Sequence, residues 1–188
     1  MTTVITVYDL PEGADAPTVL GEGHTLHRAV GTPASFGWVD LGESPSPETA
    51  GLVVTEAGRR PGALAGRYDV FHVGDRSAEA FEPAGGDESV IFVNCMRFDP
   101  EHHDAAFAAW ERVNRYMVAK PGYRWHRLHR RLDDDAPFGL VNVVEWESPD
   151  AWRAAHDAGF RALTEGDLPF TAQPTLCRRV TAHQEAVR

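Results

Sequence analysis

Apolar residues in the second half of the chain recur with two different periods. Four segments are rich in β-branched and aromatic residues or alternate between apolar and polar positions, and they predict strands at residues 89–98, 123–132, 138–147 and 175–181. Between the first two strands, apolar residues recur at steps of three and four, which is typical of one face of a helix: Phe107, Trp110, Val113 and Met117. A second helical face follows the third strand, at Trp152, Ala155, His156, Gly159, Phe160 and Leu163.

Local start and stop signals support both helices. Asp99-Pro100-Glu101 and Ser148-Pro149-Asp150 each place a capping side chain, a proline and an acid where a helix begins. Lys120-Pro121-Gly122 ends the first helix. The resulting order, β-α-β-β-α-β, predicts an α+β unit of the ferredoxin-like type.

The first half of the chain repeats parts of this unit. Three matches keep nearly the same offset, of 102 to 104 residues: Leu26-His27-Arg28 with Leu128-His129-Arg130, Phe36-Gly37 with Phe138-Gly139, and Glu43-Ser44-Pro45 with Glu147-Ser148-Pro149. Val4-Ile5 matches Val90-Ile91 at an offset of only 86, so 16 residues are missing before the second strand. That length is about four turns of helix, and we therefore expect a first repeat that lacks most of its first helix.

These matches divide the chain into a degenerate repeat at 1–76, a linker at 77–88 and a complete repeat at 89–183. A four-stranded sheet with helices on one face leaves its other face bare. Two such antiparallel sheets packed face to face predict an α+β barrel with an enclosed cavity. One chain supplies both sheets, so a monomer is sufficient, and a homodimer is the alternative.

Composition restricts the classes of partner. The formal net charge is −10, which opposes nonspecific nucleic-acid binding. No apolar run approaches the roughly 20 residues of a membrane helix, and no targeting segment is recognisable, so we expect a cytoplasmic protein without a membrane partner. Cys95 and Cys177 have no metal-site spacing and are interpreted as buried thiols. His102 and His103 point about 100° apart on a helix, and no metal site is predicted.

Two asparagines at strand centres are the first candidates for chemistry. Asn94 and Asn142 occupy positions that Asn rarely takes in a strand, and if buried they need partners. Alternation places each asparagine on an otherwise apolar side of its strand, Asn94 with Phe92 and Met96, and Asn142 with Val144 and Trp146. A few polar groups in an apolar pocket are typical of a ligand site. The alternative is that each amide only satisfies a neighbouring backbone group.

The direction of this face and the remaining candidates follow from the same pattern. The side that carries Val141 and Val143 is interpreted as the helix-packing side, so the asparagine side is expected to line the cavity. His129 is a candidate base. Contacts with a substrate are assigned to side chains on or near the second helix: Trp152, His156 and Arg161. For all of these, ordinary core or surface roles are the alternative.

Residues 89–182 resemble the antibiotic biosynthesis monooxygenase (ABM) family of dimeric α+β barrels. The resemblance rests on the strand VIFVNCMRF, on Pro121-Gly122-Tyr123, on Leu128-His129-Arg130 and on FGLVNVVEWESPDAW. It implies a first-strand Asn at Asn94, an Asn and a Trp four residues apart at Asn142 and Trp146, and an aromatic at Trp152. His129 and Arg161 correspond approximately to a family His and a basic residue.

The resemblance implies an oxygenase that tailors an aromatic polyketide intermediate, an anthrone or a hydroquinone, with O₂ as co-substrate and no tightly bound cofactor. Ring opening or ring contraction, in some members with reduced flavin, stays open. So do a polyketide cyclase on the same scaffold and a non-catalytic ligand-binding barrel. Haem degradation is disfavoured because the Trp and His that it needs on the second helix fall near Ala155 and Thr164. Fingerprints of nucleotide, serine-hydrolase and zinc-protease sites are absent from the sequence.

Overall fold

The computed structural model describes residues 2–10, 15–18, 20, 21, 23–74 and 88–180. Their strands are β1 (Thr2–Tyr8), β2 (His24–Ala34), β3 (Trp38–Ser44), β4 (Ala63–Gly74), β5 (Val90–Arg97), β6 (Tyr123–Arg131), β7 (Leu140–Trp146) and β8 (Thr171–Arg179). Their α-helices are α1 (Pro47–Ala57), α2 (His103–Met117), α3 (Pro149–Ala155) and α4 (Ala158–Thr164), with a 3-10 turn at Pro100–His102 before α2.

The strand order confirms the predicted fold class. The eight strands are hydrogen-bonded in the closed order β1-β3-β2-β8-β5-β7-β6-β4, and the registered pairs are antiparallel. Each repeat therefore orders its strands fourth, first, third, second, as a ferredoxin-like sheet does, and the two sheets join into one α+β barrel.

Two compact units divide the chain differently from the repeats. Of the described residues, one unit contains those within 2–69, 131–137 and 174–180, and the other contains those within 70–74, 88–130 and 138–173. The strands β4 and β8 each contribute residues to both units. The repeat boundaries at 1–76 and 89–183 stay a prediction, and most of the linker predicted at 77–88 lies outside the described residues.

In the first unit, α1 is the helix of the degenerate repeat. It begins with Pro47 in its first turn, and the Ser46 hydroxyl accepts a hydrogen bond from the Thr49 amide at 3.1 Å. The described residues between β1 and β2 form no helix, in agreement with the 16-residue gap, although 11–14, 19 and 22 lie outside the described part. Arg67 on β4 donates from Nε to the Asp133 carboxylate at 2.7 Å and makes a second contact through Nη2.

In the second unit, helix α2 packs on the strands through an apolar cluster. Its buried members are Met96 from β5, Ala106 and Trp110 from α2, Leu128 from β6 and Leu140 from β7. The segment predicted as one helix after Ser148 is two short helices, because the chain turns at His156 and Asp157. The Asp157 carboxylate caps α4 at the Phe160 amide and accepts hydrogen bonds from Tyr116 and Lys120.

Candidate functional site

The candidate site lies on one face of strands β5, β7 and β6. Asn94 pairs directly with Asn142, and Leu128 on β6 lies opposite Asn142 on its other side. The next row is Phe92, Val144 and His126. Cross-strand partners project their side chains to the same side of a sheet, so the two predicted asparagines share one face. The structure thus brings Asn94 and Asn142 together at the centre of this sheet.

This face is the one covered by helices, which corrects the predicted direction. Met96, Leu128 and Leu140 lie on the asparagine side by strand alternation, and they pack against Ala106 and Trp110 of α2. Val141 and Val143 lie on the opposite side of β7. The prediction was wrong because both sides of β7 are fully buried, so apolar character alone cannot tell which side meets a helix.

Several buried polar atoms around this face have no hydrogen-bond partner within the described part of the chain. They are Asn94 Oδ1, Asn142 Oδ1, Trp110 Nε1 and Trp152 Nε1. Buried polar atoms are nearly always paired, and leaving one unpaired costs about 1–3 kcal/mol. Two acceptors on the strands and two donors on the covering helices match the hydrogen-bonding groups of hydroxyls and carbonyls.

Aromatic side chains from β5, α3 and the α3–α4 junction form one wall. The Trp152 ring lies 5.6 Å from Phe92 and 4.1 Å from His156, and His156 lies 4.2 Å from Phe160. The Nδ1–H of His156 donates to the Trp152 carbonyl at 2.7 Å. Burial lowers the pKa of His156, so its Nε2 carries a lone pair that can accept a hydrogen bond.

Two other predicted residues lie apart from this wall. Arg161 is exposed, and its guanidinium donates to the His156 carbonyl at 3.1 Å. His129 is fully buried and pairs with Val141, which places it on the opposite side of the sheet from the asparagines. Its Nδ1–H donates to the Val141 carbonyl at 3.2 Å. The structure therefore does not bring His129 together with Asn94 and Asn142.

Sequence reasoning missed a group at the other edge of the face. His126 lies opposite Val144, and Tyr123 lies opposite Trp146, with its ring edge-on to that indole at 5.6 Å. His72, near the end of β4, shares a hydrogen bond of 3.0 Å with His126. Strand parity with Leu128 was a usable signal for His126. No sequence signal connects His72 with this face, because β4 belongs to the other repeat.

A cavity of about 420 Å³ adjoins this missed group. His72, Tyr123 and His126 line it together with Glu111, Asn114 and Arg115 of α2, among others. Glu111 and Arg115 form an ion pair at 3.5 Å.

The corresponding place in the first repeat is filled. Asp40 and Gly42 lie near the positions that correspond to Asn142 and Trp146 by the repeat offsets. His24 Nδ1 hydrogen-bonds the buried Asp40 carboxylate at 2.6 Å, and a Cβ on Gly42 would lie 2.1 Å from the His24 ring. The first repeat therefore uses its polar position for a contact of its own.

Buried histidines predict how stability depends on pH. Burial and the charge of Arg179 lower the pKa of His27 to about 4 from 6.5. Below 6.5 the unfolded chain binds a proton at this position that the folded chain does not, so folding is weakened as the pH falls to 4, by up to about 3 kcal/mol. We expect urea unfolding to show this loss, and we expect His27→Leu to show a smaller one. Equal pH dependence in the two proteins would contradict the assignment to His27.

The closed order of the strands and the helices that cover the asparagine face are those of an α+β barrel of two ferredoxin-like repeats. Residues 89–160 match the antibiotic biosynthesis monooxygenase family. This match confirms the resemblance predicted for the second repeat. No curated protein matches the sequence. Among the described residues, no helix is both long and apolar enough to span a membrane.

Solved structures similar to this chain include different kinds of protein. An anthrone oxidase-like protein has a TM-score of 0.68 and 17% identity, over 96% of this chain and 91% of that one. A major regulator of staphylococcal pathogenesis has a TM-score of 0.54 and 9% identity, over 95% and 99%. A variant of SnoaB, a cofactor-independent oxygenase from Streptomyces nogalater, has a TM-score of 0.42 and 23% identity, over 54% and 99%. At these identities, the similarity to the first two structures shows the fold and does not decide an activity.

Proposed function

We propose that this protein is an oxygenase of aromatic polyketide intermediates of the anthrone or hydroquinone type, with O₂ as co-substrate. The observation that carries the proposal is the opposed pair Asn94 and Asn142, whose buried Oδ1 atoms lack partners within the described residues. The match of residues 89–160 to a family of monooxygenases supports the reaction class.

The groups of this face suit a flat substrate that carries hydroxyl and carbonyl groups. The Asn94 and Asn142 oxygens accept hydrogen bonds from phenolic hydroxyls. The Trp152 indole N–H, also without a partner in the described part of the chain, donates to a carbonyl or an enolate oxygen. Phe92, Trp152 and Phe160 supply apolar area for the rings.

The chemistry that this face supports is the oxidation of an electron-rich anion. For an anthrone, loss of one C–H proton gives an enolate, and fixed hydrogen-bond donors in a dry site stabilise its charge. The anion passes one electron to O₂, and the two radicals combine into a peroxide. The outer oxygen of the peroxide anion takes back the first proton. Loss of the second C–H proton and of hydroxide then leaves a carbonyl and water, so both oxygen atoms and all hydrogens are accounted for. His129 is on the wrong side of the sheet to take the first proton.

The test is O₂ uptake with a dihydroxyanthrone and a naphthohydroquinone, measured above the uncatalysed rate, with a chelator present and no flavin added. Isotopically labelled O₂ should place one label in the new carbonyl and the other in water. Repeating the assay with reduced flavin decides between direct and flavin-assisted oxidation. Binding without O₂ uptake under either condition contradicts the proposal and favours a non-catalytic barrel. A cyclised product formed without O₂ uptake favours a cyclase.

A further inference from the structure

A continuous chain of hydrogen bonds at the β6 edge of the face has no role in the scheme above. His72 Nδ1 and His126 Nε2 are 3.0 Å apart, and their ring planes differ by only 8°, so the bond lies near the plane of both rings. The Tyr123 hydroxyl shares a hydrogen bond with His126 Nδ1. His126 therefore uses both ring nitrogens, and the chain runs from Tyr123 through His126 to His72.

The central ring of this chain is held in place on several sides. His126 is only 1% exposed, and the Trp110 ring meets it edge-on at 5.4 Å. A Cβ on Gly74 would lie 1.9 Å from His126 Cε1, so the β4 backbone lies directly against the imidazole. The Asn114 amide approaches His126 Nε2 at 3.5 Å. Holding a ring this closely fixes both of its hydrogen-bond directions, which proton transfer requires.

The two ends of the chain have different neighbours within one cavity. Tyr123 meets Trp146 at the end of the asparagine face, and His126 occupies the row next to Asn142. At the other end, His72 is half-buried, and all three side chains line the cavity of about 420 Å³. The chain therefore runs along the cavity wall, from the edge of the proposed substrate face to His72.

We propose that Tyr123, His126 and His72 form a proton relay that acts as the base of the proposed oxygenase, an inference that rests on the proposed function. The substrate proton passes to the Tyr123 oxygen while the Tyr123 proton moves to His126 Nδ1. The proton on His126 Nε2 moves to His72 Nδ1. Three bonds to hydrogen break and three form, and the products are a substrate anion and a His72 imidazolium.

The same chain returns the proton later in the reaction. Once the peroxide has formed, the three transfers run backwards and the Tyr123 hydroxyl protonates the oxygen that leaves as water. Of the three relay residues only Tyr123 exchanges a proton with the substrate itself, so it is the catalytic residue of the relay, and the two histidines act through it. The state of His126 is suited to this, because burial lowers its pKa to about 4 and keeps the ring neutral.

Turnover of three single variants tests the relay in the full chain. We expect Tyr123→Phe, His126→Phe and His72→Phe each to lower kcat for the dihydroxyanthrone by about 10²-fold or more, with KM little changed. Since the groups act as a unit, the double variant of His72 and His126 should be no slower than the slower single one. His102→Phe, at an exposed histidine outside the relay, is the control. Turnover of His72→Phe at the parent rate would overturn the relay.

Chemical rescue adds a readout that a structural role would not move. In His72→Ala, free imidazole can enter the cavity beside His126, and we expect it to restore turnover at least tenfold. His102→Ala should gain nothing from imidazole. The relay is overturned if imidazole does not restore turnover in a folded His72→Ala protein and if the solvent isotope effect on kcat of this variant equals that of the parent protein.

A measurement without substrate separates this inference from the proposed function. Nitrogen-15 spectra of the imidazoles should show one tautomer of His126, and Tyr123→Phe should shift the signals of both His126 and His72. If the spectra behave in this way but no anthrone or hydroquinone is oxidised, the proposed function fails and the hydrogen-bonded chain stands. If His72 does not respond to Tyr123→Phe, the relay fails whatever the enzyme oxidises.

Discussion

Replacement of Asn142 by alanine is expected to lower turnover of the dihydroxyanthrone by about 10²-fold, the effect of a substrate held about 1 Å out of place, because the Asn142 oxygen that accepts from a phenolic hydroxyl positions the rings. Asn142 is almost fully buried, and its Oδ1 has no partner among the described residues. Its removal therefore breaks no observed hydrogen bond at that oxygen. Because an unpaired amide oxygen is costly in the free protein, we expect the free energy of unfolding of Asn142→Ala to be nearly unchanged.

A control on the same strand makes this prediction specific. Val143 is fully buried on the opposite side of β7, so Val143→Ala should lose stability through the cavity that it leaves while each folded molecule keeps its turnover. Asn142→Asp should be as slow as Asn142→Ala, because a carboxylate repels the substrate anion. Stopped-flow oxidation under single-turnover conditions measures the chemical step directly. Normal turnover by Asn142→Ala would remove the asparagine pair from the proposed mechanism.

Replacement of Gly122 by alanine is expected to destabilise the chain by about 3 kcal/mol, and two physical effects contribute. Gly122 has a φ of +80°, a left-handed conformation that costs a residue with a Cβ about 1–2 kcal/mol. The added Cβ would also lie 2.4 Å from the Ala151 Cβ, and overpacking of this kind costs about 1–3 kcal/mol. For a chain of this length the loss corresponds to a fall in Tm of roughly 6–12 °C.

The strain at Gly122 also reaches the site, because Ala151 is followed by Trp152 on α3. We expect Gly122→Ala to raise KM for the polycyclic substrate, since α3 must move to relieve the contact. Gly51→Ala is the matched control: Gly51 lies inside α1, and nothing is within 4 Å of its added Cβ. That change should stabilise the chain by about 0.5–1 kcal/mol. Calorimetry of the two variants would contradict the argument if they melted at the same temperature.

The order of elements was predictable from sequence because local patterns were strong. The strands β5 and β7 and the helix α2 lie within a few residues of their predicted positions, since each carries one clear period and a turn signal ends it. The cap predicted at Asp99 is wrong, because the Asp99 side chain makes no capping hydrogen bond and a 3-10 turn precedes α2. The repeat offsets also indicated that the first helix of the first repeat is missing. The division of the second helix into α3 and α4 was not predicted, because it depends on contacts of Asp157 with Tyr116 and Lys120.

The residues of the site were harder to predict than the fold. Asn94 and Asn142 were found because polar residues at strand centres are conspicuous. The sequence could not predict which side of the sheet they lie on, because β7 is buried on both sides and no hydrophobic period distinguishes one side from the other. His129 was a candidate base because of its residue type, but it pairs with Val141 across the strands and therefore lies on the other face of the sheet. His126 has the right parity, and His72 depends on a pairing between distant segments that no local pattern encodes.

The contact between His24 and Asp40 has a consequence for the kind of molecule this barrel can hold. A barrel built from two identical chains carries every side chain twice, so any change that suits one half of a ligand is copied onto the other half. In the first repeat, the Asp40 carboxylate forms an internal hydrogen bond with His24, and Gly42 leaves space for the His24 ring. The two repeats of one chain can therefore differ at corresponding positions. A barrel of this kind can bind an asymmetric substrate in a single orientation.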